Sequence, residues 1–97
     1  MSDGLPVRLH LKVVTPRRLL VETEVEAVFL PTLEGQIGVF PGHRPLFTGI
    51  GRGKLVYRKA AEEDEVAVAG GYAQIDPERV VVMTEAGGDD DAGNAAA

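Results

Sequence analysis

The sequence predicts an all-β fold, an antiparallel sandwich or barrel of about ten short strands, on three observations. Apolar residues recur at every second position in one segment after another, turn residues punctuate the chain between those segments, and no stretch holds a helical period.

Arg8 to Val14 sets Leu9, Leu11 and Val13 against Arg8, His10 and Lys12, the period of a strand with one wet face. Pro16-Arg17-Arg18 turns the chain. Leu19 to Thr23 reads as a second strand, and Glu24 to Leu30 alternates until Val28, beyond which both faces are apolar, as in a strand buried on both sides. Glu34-Gly35 supplies a turn, and Gln36 to Phe40 alternates again with Ile37 and Val39 on the core side. Pro41 presets φ for a turn that Gly42 completes, His43 and Arg44 follow on an exposed corner, and Pro45 forbids a helix there.

Leu46 to Ile50 is the next strand, and Gly49, Gly51 and Gly53 mark a bulge or corner before Lys54 to Lys59. Ala60 to Asp64 reads as a polar hairpin tip. Glu65 to Ala69, a turn at Gly70-Gly71 and Tyr72 to Ile75 follow, and Asp76-Pro77-Glu78-Arg79 has the Asp and Pro of a type I turn before Val80 to Thr84. Five aromatics, Phe29, Phe40, Phe47, Tyr57 and Tyr72, are expected to be used up by the core.

Ninety-seven residues, 44% of them apolar, suffice for one small domain, assigned here to residues 1–85. Residues 86–97 contain only Ala, Gly, Asp and Asn, which bury too little surface to offset ordering entropy, so a disordered acidic tail is expected. The net charge is −5, of which Asp89, Asp90 and Asp91 carry three; the nearly balanced body argues against nucleic acid. There is no cysteine for a disulfide or thiolate, and the first twenty residues hold too many charges for a signal peptide or a membrane span, so a cytoplasmic protein is expected.

Catalysis has little material: Ser2 is the only serine and His10 and His43 are the only histidines, leaving no nucleophile and base for a hydrolytic site. Glu22, Glu24 and Glu26 share a strand face but read as a solvated face rather than a cation site. Gly49 to Lys54 fails as a phosphate loop, because three residues rather than four separate Gly49 from Gly53 and Leu55 follows Lys54. No catalytic residue, metal or cofactor is expected, and a free-standing β-sandwich that binds a small ligand or carbohydrate is the alternative reading.

The motif Glu34-Gly35-x-x-Gly38-Val39-Phe40-Pro41-Gly42-His43-x-Pro45-Leu46 resembles the signature of the epsilon subunit of F-type ATP synthases. Leu9 to Pro16 is similar to that family's opening strand, and Val68 to Tyr72 and Val80 to Met83 to its closing strands, so the resemblance covers roughly residues 7–85. It implies a flattened β-sandwich on the central rotor stalk, a non-catalytic subunit at the cytoplasmic face of the cell membrane. Such a subunit couples the gamma subunit to the membrane c-ring during proton- or sodium-driven ATP synthesis.

The resemblance further implies a gamma-facing surface at Thr15, His43 and Thr48, and a tip at Glu34, Gly35, Gln36, Ile37 and Gly38 facing the polar loops of the c-ring. Gln36 stands where many members carry Glu, and Arg44 where a small residue is usual. Usual members continue into two C-terminal helices that regulate hydrolysis and in some bind ATP; the expectation here is a subunit without that inhibitory segment.

Overall fold

The computed structural model describes residues 8–87. Strand β1 (Leu9–Val14) buries Leu9, Leu11 and Val13 completely and turns His10, Lys12 and Val14 outward, as the alternation requires. The turn to β2 (Leu19–Val25) is tied by Thr15, whose Oγ1 accepts hydrogen bonds from the amides of Arg17 (3.2 Å) and Arg18 (3.1 Å). The two strands pair from Leu9↔Val25 to Val14↔Leu19, with a register shift between Val13 and Val14.

The second strand runs past its expected end at Thr23. Val25 and Ala27 are both buried, and Glu26 between them is the corner at which the chain passes to another sheet, its amide donating to Arg58 O at 2.8 Å. That crossing is the cause of the slip in alternation. Strand β3 (Ala27–Thr32) then pairs with β4 (Gly35–Val39) around a two-residue tip, Leu33-Glu34. After β4, His43 N bonds Phe40 O at 3.1 Å and Gly42 takes φ 90°, a type II turn that only Gly enters without strain.

Strands β5 (Leu46–Gly49), β6 (Arg52–Lys59) and β7 (Glu62–Ala69) follow. The hairpin between β6 and β7 is tighter than the composition suggests: Lys59 already pairs with Glu62, Ala60 turns the corner at φ 57°, and Glu62 to Asp64 belong to the strand. Opposite charges favour this extension, since Arg58 lies 3.7 Å from Glu63 and Lys54 3.1 Å from Glu65. Between β8 (Tyr72–Asp76) and β9 (Arg79–Met83), Asp76 Oδ1 accepts from the amides of Glu78 and Arg79, closing the anticipated turn.

The body continues two residues beyond its expected end at 85, because Ala86–Gly87 (β10) pairs with Val68 and Ala69 on β7. The remainder of the expected tail lies outside the described residues.

The ten strands form two five-stranded sheets, in the order β2-β1-β9-β8-β5 and β10-β7-β6-β3-β4. Pairing is antiparallel except between β1 and β9, which run parallel because the chain passes through both sheets before returning beside its first strand. On one side the sheets are stitched by main-chain bonds from Leu33 N to Gly49 O, Ile50 N to Gly71 O and Gly51 N to Pro31 O. At the β9–β10 corner, buried Thr84 accepts from Ala69 N at 2.9 Å and lies 3.0 Å from Ala86 O.

The fully buried core is aliphatic, built from Leu9, Leu11, Val13, Val25, Val28, Leu30, Val39, Ile50, Leu55, Val68, Ala73, Ile75, Val80 and Val82, with Tyr57 packed against it. This overturns the expectation that all five aromatics would be consumed there, since of the five only Tyr57 packs against the core cluster. Phe40, Phe47 and Tyr72 are exposed, because the two inner faces are filled by β-branched and Leu side chains that pack within the narrow space between sheets.

Candidate protein interface

On the outer face of the first sheet, residues paired across strands lie side by side. Leu19 opposes Val14, Val14 opposes Met83, and Met83 opposes Tyr72. Phe47 leans on Tyr72 with ring centroids 5.1 Å apart. An apolar band therefore crosses all five strands at one end of the sheet. Four of its members are markedly exposed: Leu19 at 50%, Met83 at 41%, Tyr72 at 42% and Phe47 at 65%. Beside it lies a cleft of about 370 Å³ between Val14, Thr15, Pro16, Tyr72, Met83 and Glu85. The exposure is contiguous rather than scattered, the form that contact sites take.

The other half of the same face is charged. His10, Lys12, Glu22, Glu24 and Arg79 stand there in register, and both ring nitrogens of His10 face carboxylates.

Thr15 forms the rim of the cleft, its hydroxyl engaged by the β1–β2 turn. Thr48 lies three strand spacings away at the same end, about 14 Å across the sheet. It opposes buried Ala73, so it faces the sandwich interior at the edge of β5, while its neighbour Phe47 faces out. His43 lies toward the opposite end, where Gly42 N bonds Pro77 O at 2.8 Å; its Nδ1 donates to Arg44 O at 2.6 Å. Thr15 and Thr48 thus share one end of the sheet without meeting, and His43 lies toward the other. Phe47, Tyr72 and Met83 were missed, although the alternation of Tyr72 and Gln74 with Ala73 and Ile75 already turned Tyr72 outward.

The tip of the β3–β4 hairpin projects Leu33, 75% exposed, followed by exposed Glu34, Gly35 and Gln36. Thr32 holds it, its hydroxyl donating to Gly35 O and accepting from Glu34 N. Gly35 takes φ 117°, Ile37 is half-buried, and Gly38 lies against the ring of Phe29. The bond from Leu33 N to Gly49 O, at 3.2 Å, sets this tip at the same end of the molecule as the apolar band. On the outer face of the second sheet Phe40 meets Phe29 edge to face at 5.8 Å, with the Arg58 guanidinium over Phe29.

The amide of Gly51, in the segment that glances at a phosphate loop, is committed to Pro31 O. Among the described residues no group of three or more His, Cys, Asp or Glu is arranged to hold a metal ion, and no helix is long and apolar enough to cross a membrane.

The family described as the beta-sandwich domain of the ATP synthase delta/epsilon chain matches residues 8–87. The chain belongs to this family. The ATP synthase epsilon chain of Nitratidesulfovibrio vulgaris is 36% identical to it over 77 residues, covering 79% of this chain and 58% of that one. The corresponding chain of Halalkalibacterium halodurans is 37% identical over 78 residues, covering 80% and 59%. The chain thus spans under two thirds of these relatives' length. A chain in the Euglena gracilis mitochondrial ATP synthase structure, which comprises OSCP, F1 and c-ring, shares the fold with a TM-score of 0.80 at 22% identity over 90% of this chain and 56% of that one.

Proposed function

We propose that this chain is a non-catalytic epsilon-type subunit of an F-type ATP synthase, standing between the gamma subunit and the c-ring at the cytoplasmic face of the membrane. The observation that carries the reading is the apolar band Leu19–Val14–Met83–Tyr72–Phe47 with its cleft, on a chain of this family. The gamma subunit docks there, with Thr15 and Thr48 at the margin and His43 reached only by a contact extending along β5. The tip from Glu34 to Gly38 meets the polar loops of the ring.

Such a part must carry torque without deforming. A double-layered sheet serves because each strand is cross-linked to its neighbours and the sheets are stitched at Leu33, Ile50, Gly51 and Thr84. The exposed Phe47–Tyr72 pair would equally furnish a platform for a small ligand, but the relatives are ATP synthase epsilon chains and do not favour a free-standing binding module. The test is co-purification of the full chain with the gamma subunit of the same source: a stable stoichiometric complex is expected, and a chain that stays monomeric beside that partner refutes the proposal.

A further inference from the structure

The charged half of the first sheet's outer face contains an arrangement that the docking reading does not use. His10 Nε2 lies 2.9 Å from Glu22 Oε2 and His10 Nδ1 lies 3.0 Å from Glu24 Oε2. A carboxylate oxygen only accepts, so both bonds exist together only when both ring nitrogens carry protons. Neutral imidazole donates through one nitrogen and turns the lone pair of the other toward the second carboxylate.

The place of this cluster gives it leverage. Strand β2 is the edge of its sheet, and among the described residues β1 is the one strand it pairs with. The same histidine bridges from β1 to two residues of β2, and Glu22 and Glu24, two positions apart on one strand face, repel each other once the cation between them is gone. Lys12 opposes Glu22, and Lys59 Nζ donates to Thr23 at 2.8 Å; neither reaches Glu24.

We propose that His10, Glu22 and Glu24 form a proton-operated clasp that locks edge strand β2 onto β1 and releases it when the imidazolium loses its proton. The groups around the ring act in both directions. Glu24 and then Glu22 hold the proton on His10, raising it above its ordinary value of 6.5, while partial burial opposes them. Lys12 on β1, Arg79 in register on β9 and Arg8 just before β1 supply positive charge on the same side; Arg79 is partly offset by Asp76 at 3.8 Å. A group whose value is raised by folding stabilises fully below the unfolded value and loses that contribution as pH rises through the folded one. While Glu22 and Glu24 remain carboxylates, the clasp is therefore shut near and just below about pH 6.5 and opens on the alkaline side.

The test uses the full chain and no partner, so its failure is separable from failure of the docking proposal. Side-chain NMR titration of His10 is followed in the wild type, Glu22→Gln and Glu24→Gln. The thermal midpoint of the wild type and His10→Gln is followed against pH, together with amide protection of β2 and β8. The clasp requires His10 to titrate above 6.5, each Gln variant to lower that value, with Glu24→Gln having the larger effect, and the wild-type midpoint to fall through that window while His10→Gln stays flat. It also requires protection in β2 to decline there while β8 is unchanged. Titration at the ordinary value, an unchanged pH slope in His10→Gln, or equal loss of protection in β2 and β8 would overturn it. If His10→Gln does not fold, the two Gln variants decide by titration alone.

Discussion

The ring of Tyr72 lies 5.1 Å from that of Phe47, inclined at 35°, on the solvent side of the first sheet. Such a pair contributes about 0.5–1.5 kcal/mol beyond its buried area, which favours this arrangement of the rings before any partner arrives. A preformed aromatic surface loses little side-chain entropy on docking, which is why the pair is better suited to an interface than to the core.

The cleft beside these rings depends on Gly71. A Cβ there would lie 1.9 Å from Met83 O, at φ 97°. Gly71→Ala should cost more than about 3 kcal/mol, adding a main-chain clash to left-handed strain. Gly42 is at φ 90° with nothing within 4 Å of the added atom, so Gly42→Ala should cost about 1–2 kcal/mol. Urea denaturation of the two variants compares them directly, and equal losses would show that the clash relaxes.

Thr84 joins the two sheets through its hydroxyl, and is 2% exposed. Thr84→Val keeps the shape but leaves Ala69 N without its acceptor, so a loss of about 1–3 kcal/mol is expected, with Thr84→Ser retaining most of the stability. Hydrogen exchange at the Ala69 amide should accelerate in the Val variant alone.

Residues three apart on β4 should separate folding from coupling. Val39 is fully buried, so Val39→Ala should destabilise the chain by about 1–3 kcal/mol. Gln36 is exposed at the tip, and Gln36→Arg should change stability by less than about 0.5 kcal/mol. In vesicles carrying the assembled enzyme, Gln36→Arg should lower ion pumping per ATP hydrolysed while Val39→Ala leaves the ratio intact. Normal pumping by Gln36→Arg would remove the ring-facing role of the tip.

Most strands were legible because one wet face forces a period of two, as in Leu9, Leu11 and Val13, and because Asp76-Pro77 and Pro41-Gly42 each encode their turn locally. What escaped depends on partners remote in sequence. The end of β2 is set by Val25 pairing with Leu9 and by Glu26 N reaching Arg58, and β10 exists only because β7 offers an edge to Ala86. The parallel β1–β9 pair is likewise a matter of topology. At the candidate interface the resemblance supplied Thr15, His43 and Thr48, whereas the exposed band became visible only when cross-strand register brought Val14, Met83, Tyr72 and Phe47 side by side.

Phe47 and Phe40 make the most direct test of the docking face, for they are comparably apolar and at least half exposed, but lie on opposite outer faces of the sandwich. Calorimetric titration with the gamma subunit should show Phe47→Ala weakening binding by roughly 30-fold or more, the loss typical of an aromatic hot spot, while Phe40→Ala stays within about threefold of the wild type. Equal losses, or a greater loss for Phe40→Ala, would contradict the assignment of the first sheet as the gamma-facing surface.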